Sequence, residues 1–316
     1  MLFGLAVVAL LLGCPALSPG AAAPRLVADQ PWFVPRFDSL ATPVKREIER
    51  YSNLPEYEAS RRDPRFEIRR WRYRSDSLTV VAYAYRRKPG FGEKKPVRRP
   101  AVIYCRGSYR QDGLSPAAMP ILHRLGEAGF FAVAPQYRGS EGGEGRDEMG
   151  GADVRDVTAL VELLARDPGV DPRAIYLYGE SRGGMMAYQA ARDGARVRAI
   201  ATVGAFTDLD TLLAHDPVSA AAARQIWPDW ASREKEIEER RSAIRWVEKI
   251  RVPTLVLLGR HDSRVSSTDG ERFVSALRAH RTPAELHVIE DAGHVIGERS
   301  TLRDSLIVDW FRRWKP

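Results

Sequence analysis

The sequence predicts an α/β fold: a mostly parallel sheet with an N-terminal hairpin, helices on both faces and a small helical insertion. Three observations predict it. Short unbroken apolar runs recur along the chain, at "AVIYC" (101–105), "FFAVAP" (130–135), "AIYLYG" (174–179), "VRAIATVG" (197–204), "PTLVLLG" (253–259) and "AELHVIE" (284–290). Strands buried on both faces read this way, and a parallel sheet with crossover helices buries both faces. Between the runs lie segments of helical spacing, among them "PAAMPILHRLGEAG" (116–129), "DVRDVTALVELLARD" (153–167) and the stretches 267–281 and 301–314. Finally, 316 residues of which 44% are hydrophobic suffice for a sizeable core without metal or disulfide staples.

Taken in order, the chain opens on an apolar, uncharged run from Leu2 to Gly13. The run is shorter than the ~20 residues of a membrane span and suits the apolar core of a secretory signal. Small residues follow at 20–23, and cleavage after Ala22 leaves small side chains at the −3 and −1 places. Residues 1–22 are therefore expected to be a signal peptide, and the mature protein to be exported, periplasmic or secreted. A second option is a lipoprotein, because Leu11-Leu12-Gly13-Cys14 resembles a bacterial lipobox; only lipidation at Cys14 would bring the chain to a membrane. Loss of the leader leaves Cys105 as the sole cysteine, which excludes a disulfide framework and a cysteine zinc site. No metal or cofactor is expected.

Residues 23–65 carry several prolines and are expected to be an irregular segment wrapping the surface. A short helix is predicted at 43–51, with Thr42 as N-cap and Pro43 at the first helical position. "FEIRRWRYR" (66–74) and "LTVVAYAYRR" (78–87), split by Ser75-Asp76-Ser77, signal a hairpin. A Gly/Pro/Lys-rich loop follows at 88–100. The main domain is expected to span 66–316, interrupted by a helical cap insertion at 206–250 that holds Trp227, Trp230 and the charged run "SREKEIEERR".

The net charge is +8, and 42 of the 49 basic residues are arginine. The arginines lie along the whole chain, mixed with acids, and form no run with interleaved aromatics. This reads as an arginine-rich composition rather than a nucleic-acid-binding face. A binder of the envelope surface would need those arginines gathered on one face.

The chemistry is carried by "YLYGESRGGMMAY" (176–188). Gly-x-Ser-x-Gly between an apolar strand and a helix is a nucleophile elbow, whose tight turn lifts the serine hydroxyl above the sheet edge. Side chains at Gly179 and Gly183 would clash with the neighbouring strand or helix. The elbow also leaves the Arg182 N–H at a helix N-terminus, aimed at a developing oxyanion. A serine needs a base held by an acid, and after such an elbow the chain order is Ser, then Asp or Glu, then His. Asp262 lies in the loop after "PTLVLLG", and His294 in the loop after "AELHVIE". The other histidines are worse placed: His123 and His280 on helices, His287 within a strand, His215 in the insertion, and His261 beside the acid. Glu290 and Asp291 precede His294 too closely to orient it. The second oxyanion donor is expected from the backbone of Arg106 or Gly107, in the loop after "AVIYC". Cys105 is expected to be a buried small apolar residue rather than a reactive thiol. Substrate contacts are expected from Tyr109 and from Phe206, which leaves its strand first.

These residues resemble the α/β-hydrolase superfamily, and within it the catalytic domain of the prolyl oligopeptidase family of serine peptidases. The resemblance covers about residues 66–314. It rests on "QYRGSEGGEG" (136–145), which is similar to that family's tyrosine-arginine-glycine loop, on "GVDPRAIYLYGESRGGMMAY", on "VPTLVLLGRHDSRV" with its Asp-x-Arg-Val, and on the histidine loop "EDAGHVIG". The resemblance implies an α/β-hydrolase fold and acyl transfer to water. Two features differ. The roughly 40 residues between leader and hairpin are too few for the β-propeller that the family's peptidases usually carry. Cys105 stands where the family often has an aromatic residue or histidine.

The sequence thus reads as a serine hydrolase acting through an acyl-enzyme on Ser181, on a small peptide or an acyl ester. A prolyl-oligopeptidase-like peptidase is placed ahead of a carboxylesterase or dienelactone-hydrolase-like esterase. A non-catalytic binding module on the same scaffold would predict loss of a triad residue, and none is lost. The oligomeric state is not encoded in any motif.

Overall fold

The computed structural model describes residues 23–90, 97–109 and 115–316. The expected signal peptide, including Cys14, and part of the 88–100 loop lie outside the described residues. Among the described residues no helix is long and apolar enough to cross a membrane.

The chain opens with β1 (Leu26–Pro31), α1 (Thr42–Glu49) and α2 (Leu54–Arg62), followed by the hairpin β2 (Phe66–Ser75) and β3 (Leu78–Arg87). Then come β4 (Arg99–Cys105), α3 (Met119–Glu127), β5 (Phe131–Pro135), α4 (Val154–Ala165), β6 (Val170–Glu180), α5 (Arg182–Arg192) and β7 (Ala199–Val203). The insertion supplies α6 (Leu209–His215), α7 (Pro217–Ile226) and α8 (Trp230–Arg241), and the chain ends with β8 (Thr254–Gly259), α9 (Ser267–Ala279), β9 (Ala284–Ile289) and α10 (Ser300–Arg313). The described strands form one nine-stranded sheet in the order β1-β2-β3-β5-β4-β6-β7-β8-β9. From β5 to β9 every neighbour is parallel, and β1, β2 and β3 are attached antiparallel. This is the α/β-hydrolase fold that the sequence predicts.

Residues 24–64 are more regular than expected. β1 adds an edge strand to β2, and α1 and α2 pack their Val44, Ile48 and Tyr57 into the core on one side of the sheet, together with α3 and α10. β1 escaped sequence reading because an exposed edge strand carries no apolar face. For α2 the signal was present: Asn53 caps it by accepting from the Glu56 N–H, and Pro55 sits in its first turn. In α1 the cap is Ala41, not Thr42; Thr42 is already helical and no side chain caps the helix. The opposite core holds α4, α5 and α9 and the apolar residues of the insertion.

The hairpin is joined to the rest by a buried charge. The Asp156 carboxylate on α4 accepts from Ser75 Oγ (2.6 Å), from Arg138 Nη2 (2.7 Å) and from the Arg138 backbone N–H (2.7 Å). Arg138 and Asp156 are both buried. Burial raises the Asp156 pKa, opposed by the Arg138 guanidinium. Removing the Asp156 carboxylate leaves the buried Arg138 guanidinium with only the partly exposed Asp76, 3.1 Å away, as countercharge, at a cost of about 3 kcal/mol. Asp156→Ala is therefore expected to lower Tm by roughly 6–12 °C. Glu290→Ala, which removes the exposed partner of Arg260, is expected to leave Tm near wild type. Thermal unfolding of the two variants side by side checks the contrast.

Candidate active site

At the end of β6 the chain turns through Ser181, whose φ of 51° and ψ of −121° are strained for a residue with a side chain, and enters α5. The turn is possible because the next residues come against bare main chain. A Cβ on Gly183 would lie 1.8 Å from the carbonyl oxygen of Cys105, at the end of β4. The neighbouring strand and the nucleophile helix thus meet with no room for a methyl group.

The loops after β8 and β9 bring Asp262 and His294 to the same edge. His294 Nε2 lies 2.9 Å from Ser181 Oγ, and His294 Nδ1 lies 2.8 Å from Asp262 Oδ2. Because the carboxylate can only accept, Nδ1 carries the proton and Nε2 is left to accept from the serine hydroxyl. The Asp262 side chain is fully buried, and its Oδ1 accepts the N–H groups of Arg264 (2.8 Å) and Val265 (3.1 Å). The competing acids are engaged elsewhere on the surface: Glu290 pairs with Arg260, and Asp291 with Arg299.

The oxyanion side is built around a residue whose side chain the sequence left unread. The Arg182 guanidinium is buried, donating to Asp147 Oδ2 (2.7 Å) and Oδ1 (2.5 Å), to Asp153 Oδ2 (2.6 Å) and to the carbonyl of Ser108 (3.0 Å). Its carbon sits 4.6 Å from the centroid of the Tyr137 ring. Burial opposes its charge, but Asp147 and Asp153 more than offset that and hold its pKa above the ordinary arginine value. Tyr137 in turn donates to the carbonyl of Arg106 (3.0 Å), and Arg106 donates to Gly107 O and Gln136 O (3.0 Å each). The expected oxyanion loop, Arg106-Gly107-Ser108, is thereby pinned beside Ser181. Cys105 is fully buried, and burial pushes its thiol up to about 12, outweighing the nearby Arg182 charge, so it stays protonated.

A cavity of about 150 Å³ opens against Ser181 and His294. Phe206, Leu212, Ile226, Trp227, Met149 and Val265 form its apolar wall, and Tyr109 lines it too. No acidic residue lies on its described lining; the charged residues there are Arg182, already paired, and Arg264, whose Nε is 3.9 Å from Asp216. Phe206 and Tyr109 both lie on this lining. Trp230 is not on the lining: it packs behind Trp227, with ring centroids 5.7 Å apart.

One cluster elsewhere has the ligand types of a metal site. Asp63, His123 and Glu127 bring one ligand atom each within 4.8 Å of one another. Arg65 donates to both carboxylates, and Asp63 Oδ2 lies 3.0 Å from His123 Nε2. Asp63 is held well below the usual carboxylate range, first by Arg65. One arginine already bridges both carboxylates, and the cluster is an ion-pair junction where α2 meets α3.

A model of the prolyl oligopeptidase family matches residues 118–315. An uncharacterised peptidase of Bacillus subtilis, YtmA, is 26% identical over 192 residues, which cover 60% of this chain and 74% of that one. Among solved structures, a puromycin-hydrolyzing peptidase of Mycobacterium tuberculosis matches with a TM-score of 0.65 at 20% identity, over 75% of this chain and 37% of that one. The Pyrococcus furiosus esterase Pf2001 matches with a TM-score of 0.59 at 19% identity, over 76% of this chain and 87% of that one. The two structures report a shared fold. This chain spans little more than a third of the mycobacterial peptidase.

The geometry generates a direct test. A fluorophosphonate is expected to label Ser181 and no other residue, and Ser181→Ala to abolish labelling while Tm stays close to wild type. Asp262→Asn is expected to slow labelling by roughly ten-thousand-fold, because His294 then holds the wrong tautomer. Peptide mapping of the labelled protein reads both. Label on another serine, or an Asp262→Asn variant that reacts at the wild-type rate, contradicts the assignment.

Proposed function

The chain belongs to the prolyl oligopeptidase family of serine-type peptidases, and from that premise we propose that it cleaves small peptides through an acyl-enzyme on Ser181, with a large apolar residue held on the acyl side of the scissile bond. The observation that carries the proposal is the hydrogen-bonded row Ser181–His294–Asp262 facing an apolar cavity. In this reading Ser181 Oγ attacks the carbonyl carbon as its proton passes to His294 Nε2. Asp262 holds the ring and stabilises the imidazolium. The backbone N–H of Arg182 at the start of α5 and that of Arg106 or Gly107 receive the oxyanion. The amide C–N bond then breaks, His294 returns the proton to the leaving amine, and the acyl-enzyme forms. A water deprotonated by His294 releases the acid and restores Ser181.

The pocket sets the preference. A wall of Phe206, Leu212, Ile226 and Trp227 gains free energy from apolar side chains, and no acid on the described lining is placed to hold a cation. We take residues 66–316 as the catalytic unit, 206–250 as its cap and residues 1–22 as an export leader. A second reading, an esterase, is favoured by one observation: the match to the Pyrococcus furiosus esterase runs over 87% of that chain.

A panel of peptidyl anilides and acyl nitrophenyl esters separates the two. The peptidase reading expects anilide turnover, with phenylalanine or leucine preferred over glycine by roughly 10–200-fold in kcat/KM at the acyl position. Phe206→Ala is expected to cut that preference about tenfold. Trp230→Ala is expected to leave it unchanged, because Trp230 stands behind the wall. Ester turnover without anilide turnover would replace the peptidase reading with the esterase one.

A further inference from the structure

Glu180, the residue before Ser181, enters the sequence motif only as a variable place, yet it is 2% exposed and lies inside the site. Its carboxylate is held from two directions. Tyr51 Oη, at the end of α1, donates to Oε1 at 2.5 Å, and Tyr104 Oη on β4 donates to Oε2 at 3.0 Å. The Gly107 backbone packs on the same carboxylate: a Cβ there would lie 3.1 Å from Glu180 Oε1 and 3.3 Å from Ser181 Cβ. Among the described residues no cation forms an ion pair with Glu180; its hydrogen-bond partners are Tyr51 and Tyr104. The titratable groups around it are Glu47 and Arg50 on α1, Tyr178 on its own strand, Arg303 on α10, and His294. Arg303 is committed to the carbonyl of Val295 (2.9 Å) and to Asp304. Arg50 is committed to Glu47.

Resting on the acyl-enzyme reading above, we infer that Glu180 is a positioning residue: held by Tyr51 and Tyr104, its carboxylate fixes the Gly107 loop against Ser181. The N-terminal segment then reaches the active site through Tyr51. Burial raises the Glu180 pKa, partly offset by the Tyr51 hydrogen bond.

The test compares wild type, Glu180→Gln, Tyr51→Phe and Ser181→Ala on the anilide preferred in the panel. Glu180→Gln keeps the shape and loses the charge. It is expected to lower kcat about tenfold with KM within about twofold. Tyr51→Phe deletes one hydroxyl and leaves Glu180 with a single donor; it is expected to lower kcat by a smaller factor, with KM again within about twofold. Should Glu180→Gln fail to fold, Tyr51→Phe carries the test alone. Wild-type kcat, even with a lowered Tm, overturns the inference and leaves Glu180 as a structural bridge. If that result comes with an inactive Ser181→Ala, the inference fails alone; if Ser181→Ala retains turnover, the acyl-enzyme reading fails and the inference with it.

Discussion

The site depends on one buried cation. Arg182 follows Ser181, so its backbone N–H is fixed by the elbow, and its guanidinium must go where the start of α5 points it. That place is inside the protein, where an unpaired charge is prohibitive. Asp147 and Asp153 supply the countercharge, and both belong to the segment that leads from the β5 loop into α4. One further N–H donates to Ser108 O, in the loop that flanks Ser181 on its other side. One side chain thus sets the spacing between the elbow, the oxyanion loop and the segment before α4. Breaking such a pair costs more than forming it contributes, so the network acts as a constraint on geometry more than as a source of stability.

The cap is tied to the same anchor. Trp227 donates from Nε1 to the carbonyl of Glu148 (3.0 Å), and Arg241 stacks on Trp227 while donating to the carbonyls of Glu148 and Met149. Those carbonyls lie one and two residues past Asp147. The pocket wall and Ser181 are therefore referenced to one stretch of main chain. This explains why the insertion carries more apolar residues than a solvated helix needs. Its inner surface closes a cavity, while residues 232–236 of its charged run on α8 are exposed and Arg241 at the end of the run is buried.

What was legible in the sequence follows a physical division. Gly179, Ser181 and Gly183 are dictated by local sterics, which act between neighbours and leave a spelling. The apolar runs report burial on both faces, so strand identity could be read. Asp262 and His294 were found because a strand end precedes each. The partners of Arg182 lie 29 and 35 residues away, and Tyr51 lies 129 residues from Glu180. No local pattern records such pairs, since any buried carboxylate would satisfy the arginine. Trp230 illustrates the same limit: the spacing of an apolar residue marks a buried face, but not whether that face meets a cavity or a second aromatic ring. In β1, exposure removed the only signal an edge strand has.

The N-terminal segment shows how far that limit reaches into function. α1 ends where Tyr51 meets Glu180, and one residue earlier the carbonyl of Arg50 lies 2.4 Å from where a Cβ on Gly297 would sit, three residues past His294. A single helix end therefore touches the Glu180 carboxylate next to Ser181 and the loop that carries His294. Both contacts need a precise approach of α1 to the sheet edge, and that approach is set by Ile48 and Val44 in the core shared with α3 and α10. Apolar burial at ordinary core positions thus positions a hydroxyl at the site. A segment that reads as a wrapper in composition forms, through packing alone, a third side of the sheet edge that carries Ser181, alongside the elbow and the histidine loop.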